Sequence, residues 1–143
     1  MDPRGSALTI LHLAPAVRNA ALDLITAAID AGAGPGTISF CDGPMPASAS
    51  DALAAGNHLL STVTCDDPSA PPAVGGVLTL AATVQDSSID QSGTVTFARV
   101  RDSNGVTVLD ADVGTSNATI IMPSTSVTAG EPLQLSTFTV TWP

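Results

Sequence analysis

Aromatic and basic side chains are scarce in this sequence. It has no tyrosine, one tryptophan, three phenylalanines and only four Lys and Arg residues, against 13 Asp and Glu. Because proteins bind phosphate backbones through basic side chains, the formal net charge of −9 argues against nucleic acid as a partner. Sugar-binding surfaces usually present aromatic rings, so the same scarcity disfavours carbohydrate recognition.

Histidine is also rare, and no common metal or catalytic motif occurs. His12 and His58 lie far apart, and the sequence contains neither Cys-x-x-Cys nor Gly-x-Ser-x-Gly. Asp102, Asp110 and Asp112 lack the twelve-residue ligand spacing and the distal Glu of an EF-hand calcium loop. We therefore expect no metal, no cofactor and no enzymatic activity.

The sequence has only two cysteines, Cys41 and Cys65, each at the end of a predicted strand and followed by Asp. They could face one another if those strands pair. We favour two buried free thiols, because a single pair is not the disulfide framework expected of a small secreted domain.

A long hydrophobic run is missing as well. The longest one near the start, residues 7–17, is interrupted by polar residues and a proline and is too short to cross a bilayer. It also lacks the basic start and the small-residue cleavage pattern of a signal peptide. We expect no membrane segment.

Small and apolar residues make up much of the chain instead. Its 143 residues are about the length of one domain, and only 12% of them are charged. A surface with so few charges suits contact with other proteins, and we expect a homo-oligomer. We predict an N-terminal arm, residues 1–13, and a single domain, residues 14–143.

The pattern over about residues 14–31 predicts the only helix. Pro15 suits its first turn, and Gly32 follows at a position where a left-handed residue commonly ends a helix. One apolar stripe comprises Val17, Ala21, Leu24 and Ala28, widened by Leu22, Ile25 and Ile29. The opposite face carries Asn19, Asp23, Thr26 and Asp30. We expect a sheet or a partner subunit to cover the apolar stripe.

Residues 93–113 predict a β-hairpin around which the other strands are arranged. Two runs rich in β-branched residues flank residues 102–105. Asn104 and Gly105 can adopt the positive φ angles of a tight turn, and Asp102 can accept hydrogen bonds from the turn amides.

Further strands are predicted on both sides of this hairpin. Their ranges are 37–41, 59–65, 77–84, 118–122 and 133–142, and the last has either a bulge near Ser136 or cover on both of its faces. Seven short strands at this spacing predict a mainly β fold, an antiparallel β-sandwich with one N-terminal α-helix.

The order of segments from His12 to Trp142 resembles a family of small tailed-bacteriophage virion structural proteins. The resemblance rests on Val17-Arg18-Asn19-Ala20, Ile29-Asp30-Ala31-Gly32-Ala33-Gly34, residues 60–65 before Asp67-Pro68, residues 97–105 with Val113-Gly114-Thr115-Ser116, and residues 127–130 and 136–140. It implies a structural part of the virion, made in the host cytoplasm. Our first hypothesis is a capsid decoration or cement protein on the outer head surface, which the acidic, charge-poor composition fits. The alternative is a tail, baseplate or fibre-anchoring adaptor.

Two segments are the candidate contacts with the major capsid protein or other virion proteins. The first is the N-terminal arm, with Leu8, Ile10, Leu11 and Leu13, which could add a strand to an exposed sheet edge. The alternatives are a first strand packed on the domain's own sheet and a disordered leader with no role. The second is the long loop after residue 41, with Pro44, Met45 and Pro46.

Overall fold

The computed structural model describes residues 11–83 and 85–142. In this part of the chain, one helix is followed by nine strands. They are α1 (Pro15–Ile29), β1 (Thr37–Cys41), β2 (Leu59–Thr64), β3 (Val77–Thr79), β4 (Gly93–Thr94), β5 (Phe97–Arg101), β6 (Thr107–Gly114), β7 (Ile120–Ile121), β8 (Ser126–Val127) and β9 (Thr137–Thr141).

Seven strands form one sheet in the order β2-β1-β5-β6-β7-β9-β3, and β4 pairs separately with β8. The long strand β6 belongs to two halves of the large sheet. Its first residues pair antiparallel with β5, while Val113 and Gly114 pair in parallel with β7. The mainly β class with one helix is therefore confirmed. The antiparallel two-sheet sandwich is not, because the sheet is mixed and open.

The predicted hairpin forms from β5 and β6, which place Arg99 opposite Asp110. Asp102 accepts hydrogen bonds from the amides of Asn104 and Val106, both at 2.9 Å, as its place in the turn predicts. Among the turn residues 102–105, only Gly105 has a positive φ, at 83°. The turn is therefore not the predicted pair of left-handed residues, but a three-residue loop that needs one glycine.

The helix α1 forms as predicted, beginning with Pro15 at its first turn, but its buried side is partly the predicted polar face. Leu22 and Ile29 are buried, whereas Val17 is 52% exposed and Leu24 is 69% exposed. The predicted stripe of Val17, Leu24 and Ala28 therefore faces away from the domain.

Polar side chains of α1 explain this orientation, because they bind backbone amides of the segment at residues 69–76. The carboxylate of Asp23 accepts from Ala73 at 2.7 Å, and the carboxylate of Asp30 accepts from Ser69 at 3.1 Å. The side-chain oxygen of Asn19 accepts from Gly76 at 2.9 Å. Buried amides need acceptors, so these contacts turn the polar residues inward.

The glycine predicted to cap α1 has a different role. The helix ends at Ile29, and Gly32 does not adopt a positive φ. A Cβ atom at Gly32 would lie 1.8 Å from the Oγ of Ser103 in the hairpin turn. Gly32 therefore allows the end of the helix to approach the hairpin closely.

Three predicted strands are much shorter than expected: the ranges 77–84, 118–122 and 133–142 contain only β3, β7 and β9. After β3, the amide of Leu80 still donates to Phe138 on β9, but that of Ala81 donates to Ser69 in a loop. Before β9, Gln85 exchanges two hydrogen bonds with the backbone of Leu135. Instead of a strand with a bulge near Ser136, β9 begins only at Thr137. Val84 lies outside the described residues.

Cys41 and Cys65 are both buried free thiols, the favoured alternative. The strands β1 and β2 do pair, but in antiparallel directions. Cys41 lies opposite Leu59 at one end of the pair, whereas the amide of Cys65 donates to the carbonyl of Gly36 at the other end. At about 3.3 Å per residue they are too far apart for a disulfide. Burial raises the pKa of the Cys65 thiol to about 11.

Candidate functional site

The loop that joins β1 to β2, residues 42–58, holds three of the predicted contact residues. Pro44 and Met45 are exposed, Met45 by 40%, and Pro46 is half-buried. We call residues 42–58 the β1–β2 loop. A long loop gains a fixed shape only if its backbone groups find partners within the domain.

The base of the β1–β2 loop is closed by hydrogen bonds between its two ends. The carboxylate of Asp42 accepts from the backbone amide of His58 at 2.6 Å, and the His58 ring lies 3.0 Å away. The amide hydrogen bond from His58 lowers the pKa of Asp42. The side-chain amide of Asn57 donates to the carbonyls of Asp42 and Pro44, at 3.0 and 2.9 Å.

A buried ion pair fixes the middle of the loop to the sheet. The guanidinium of Arg99 donates two hydrogen bonds to the carboxylate of Asp110, at 2.7 and 2.8 Å, and a third to the carbonyl of Asp51 at 2.7 Å. Both charged side chains are buried, at 3% and 4% exposure. The hydrogen bonds to Asp110 raise the pKa of Arg99.

Two further contacts complete this support. The hydroxyl of Thr96 donates to the carbonyl of Gly43, and the amide of Ser48 donates to the carboxylate of Asp51 at 3.1 Å. The β1–β2 loop is thus held at its base, near its start and in its middle. It presents Met45 between two prolines, a preorganised apolar contact on the surface.

The predicted arm residues lie elsewhere. Leu8 and Ile10 are outside the described residues, Leu11 is 74% exposed, and Leu13 is half-buried. Residues 11–14 form no strand. They lead directly into α1, which packs against β3 and β6, whereas the β1–β2 loop is held by side chains of β5 and β6.

The helix provides a second exposed apolar surface, which includes most of the stripe that we expected a sheet or a partner subunit to cover. Seven residues of α1 are exposed, and all of them are apolar: Pro15, Ala16, Val17, Ala20, Leu24, Ala27 and Ala28. All of these except Pro15 lie on one side of the helix at 3.6 residues per turn, and we call these residues, without Pro15, the outer face of α1. Surface helices usually carry charged or polar residues on this side.

Neither the pattern of a metal site nor that of a membrane-spanning helix occurs in the described residues. No group of three or more His, Cys, Asp or Glu side chains there could hold a metal ion. In the same part of the chain, no helix is long and apolar enough to cross a membrane.

The residues that position the loop were not identified from the sequence, although one signal was present. A tight turn at Asn104 and Gly105 already places Arg99 opposite Asp110, and opposite charges across a hairpin are expected to pair. No pattern pointed to Asn57 or Asp42, whose partners are backbone groups of the same loop. Comparisons of the chain with protein-family models, curated proteins and solved structures found no match.

Proposed function

We propose that this protein is a non-catalytic structural part of a tailed-bacteriophage virion, a decoration or cement protein on the outer head surface. The resemblance in the order of its segments suggests the virion. The observation that carries a binding role is the β1–β2 loop, which is braced by buried groups and presents Met45 at the surface. Preorganised loops lose little conformational entropy when a partner binds.

The polar groups under the loop also favour a binding role over a catalytic one. Arg99, Asp110 and Asn57 direct their hydrogen bonds to one another or to the loop backbone. Leu11 adds a second exposed apolar contact just before α1. A weak contact repeated over many copies of a capsid lattice gives strong overall attachment.

We also infer that the two halves of the large sheet pack face to face as the layers of a sandwich. Phe40 and Val100 come from the half that contains β1 and β5, and Leu78 and Phe138 come from the half that contains β3 and β9. All four side chains belong to one buried apolar cluster. A shared core between two halves of a sheet is typical of that architecture.

A saturation experiment with heads of the encoding phage that lack this protein tests the proposal. Purified protein is added in excess, and bound copies per particle are counted by quantitative mass spectrometry. Decoration of the lattice requires on the order of hundreds of copies, whereas a neck or tail adaptor would bind as about six or twelve. Absence of binding to any virion part would overturn the proposal.

The loop's role predicts that Met45→Asp weakens attachment to heads. A charge placed in an apolar contact loses its hydration, so we expect affinity to fall about tenfold or more. Ala55→Asp is the matched control, since it adds the same charge to another exposed position of the loop. Equal binding of both variants and the wild type would show that residues 44–46 do not contact the head.

A further inference from the structure

The outer face of α1 combines an apolar surface with an absence of charge. Its most exposed large residues are Val17 and Leu24, and small alanines lie between and beside them. The carboxylates of Asp23 on the helix and of Asp30 just after it accept hydrogen bonds from the amides of Ala73 and Ser69. On a chain of net charge −9, this face carries no acidic group.

The positions of these residues are symmetric about residue 22 of the helix. A two-fold axis at that point, with two helices antiparallel, sets Val17 of each copy against Ala27 of the other. The same operation sets Leu24 against Ala20. Every large side chain therefore meets a small one, whereas parallel pairing would set Leu24 against Leu24 and leave gaps beside the alanines.

We propose that the outer face of α1 binds the same face of a second copy of this chain, as an antiparallel helix pair. Two strongly acidic molecules repel one another unless they meet where charge is missing, and this face meets that condition for both partners. A two-fold contact needs a self-complementary patch, which the symmetric positions provide. The spacing of Val17, Ala20, Leu24 and Ala27 is the alternation of three and four residues found in paired helices.

The neighbouring surface widens the contact. A groove beside the helix is lined by Ala27, Pro71 and Pro72 and also by Asp23, whose carboxylate accepts a hydrogen bond from the amide of Ala73. The helix itself is about 22 Å long, which is short for a stable interface of about 800 Å² per partner. We therefore expect a dimer that forms at high protein concentration and dissociates on dilution. The inference is independent of the capsid proposal, because the isolated protein tests it.

Sedimentation equilibrium over a range of concentrations tests the pairing. We expect the wild type to approach twice its 14.2 kDa mass as concentration rises. Leu24→Glu should weaken self-association about tenfold or more, because it places two carboxylates in an apolar contact. Val106→Glu is the matched control, an exposed apolar residue at the hairpin tip, and it should self-associate like the wild type. Circular dichroism melting checks that both variants fold.

A wild type that stays monomeric at all concentrations would overturn the proposal, as would equal self-association of Leu24→Glu and the wild type. If the wild type is monomeric but Leu24→Glu fails to bind heads, the face contacts a capsid protein instead. That outcome would refute the helix pair and leave the decoration proposal standing.

Cross-linking tests the antiparallel register. In the double variant Val17→Cys and Ala27→Cys, antiparallel pairing should join position 17 of one copy to position 27 of the other by a disulfide under mild oxidation. Trypsin cleaves after Arg18, so the two positions fall in different peptides. Mass spectrometry should then find the short peptide linked to the long one at position 27, and not at the buried Cys41 or Cys65 of the same long peptide. Short peptides linked to each other would show parallel pairing and contradict the proposal.

Discussion

At the scale of single residues, Arg99 and Asp110 connect the surface loop to the centre of the sheet. Arg99 lies on β5, pairs with Asp110 on β6, and reaches the carbonyl of Asp51 in the β1–β2 loop. Burying two charges is unfavourable unless they are paired and hydrogen-bonded, and here each of the three guanidinium nitrogens and both carboxylate oxygens has a partner.

Removal of one partner should therefore be costly. Arg99→Met leaves the Asp110 carboxylate buried without a counter-charge, and we expect a loss of about 3–5 kcal/mol in the free energy of unfolding, measured with urea. The β1–β2 loop should also become sensitive to limited proteolysis. Arg101→Met is the control, because Arg101 is half-buried and, among the described residues, its side chain donates only to the Ser39 hydroxyl. A loss for Arg99→Met below about 1 kcal/mol, the range of surface pairs, would contradict this role.

Residue-level signals in the sequence were informative where a residue acts on its own backbone. Asp102 and Gly105 form the hairpin turn through local geometry, so their types predicted it. Gly32 was misread because its neighbour, Ser103, is distant in sequence. A close approach between two elements leaves no local pattern, so only the fold reveals it.

At the scale of elements, α1 shows why an apolar stripe does not always identify the buried face. Periodicity found a helix with two distinct faces, and that prediction is confirmed. Which face turns inward was decided by the segment at residues 69–76, whose amides bond to Asn19, Asp23 and Asp30. The sequence does not show that the amides of residues 69–76 bond to side chains of α1 and not to a neighbouring strand. The orientation of the helix on the sheet could therefore not be predicted from it.

The amide contacts predict that Asp23→Ala destabilises the domain more than Asp23→Asn. Alanine leaves the amide of the buried Ala73 without an acceptor, which costs about 1–3 kcal/mol, whereas asparagine keeps an acceptor oxygen. Thermal and urea unfolding of the two variants measure the difference. Equal stability would mean that the contact does not hold the helix in place.

Strand predictions succeeded where a ladder continues and failed where it stops. β1 has the predicted bounds, because its neighbours β2 and β5 pair along its whole length. The strand predicted at residues 77–84 ends at Thr79, although Leu80 is still buried beyond it. The amide of Leu80 still donates to the carbonyl of Phe138 on β9, but the next amide, that of Ala81, donates to Ser69 instead. Nothing in the alternation of residues 77–84 marks this change of partner, because sequence patterns record burial rather than pairing.

At the scale of the whole molecule, acidity has two opposing effects on stability. The net charge of −9 causes mutual repulsion, which protonation relieves. Several carboxylates are nevertheless stabilised in the charged form. Hydrogen bonds from the His58 amide lower the pKa of Asp42, those from the Thr83 hydroxyl and amide lower the pKa of Asp66, and those from Thr119 lower the pKa of Asp112.

These lowered pKa values predict the direction of the acid response. In the unfolded chain the pKa of an Asp side chain is about 3.9. The lower pKa values of the folded state mean that, as pH falls through this range, the unfolded state binds more protons than the folded state. The stability from Asp42, Asp66 and Asp112 is thus fully present above about pH 5 and is lost as pH falls through the folded pKa values. We expect the urea midpoint to be level from about pH 7 to 5 and to fall below about pH 4.

Asp112→Asn isolates one of these groups. The amide oxygen can still accept the hydrogen bond from the Thr119 amide but no longer titrates. The variant should therefore lose less stability than the wild type between about pH 5 and 3, measured by urea unfolding at fixed ionic strength. A midpoint that rises steadily over this interval in the wild type would mean that relief of charge repulsion exceeds the loss of these hydrogen-bonded carboxylates, and the predicted sign would be wrong.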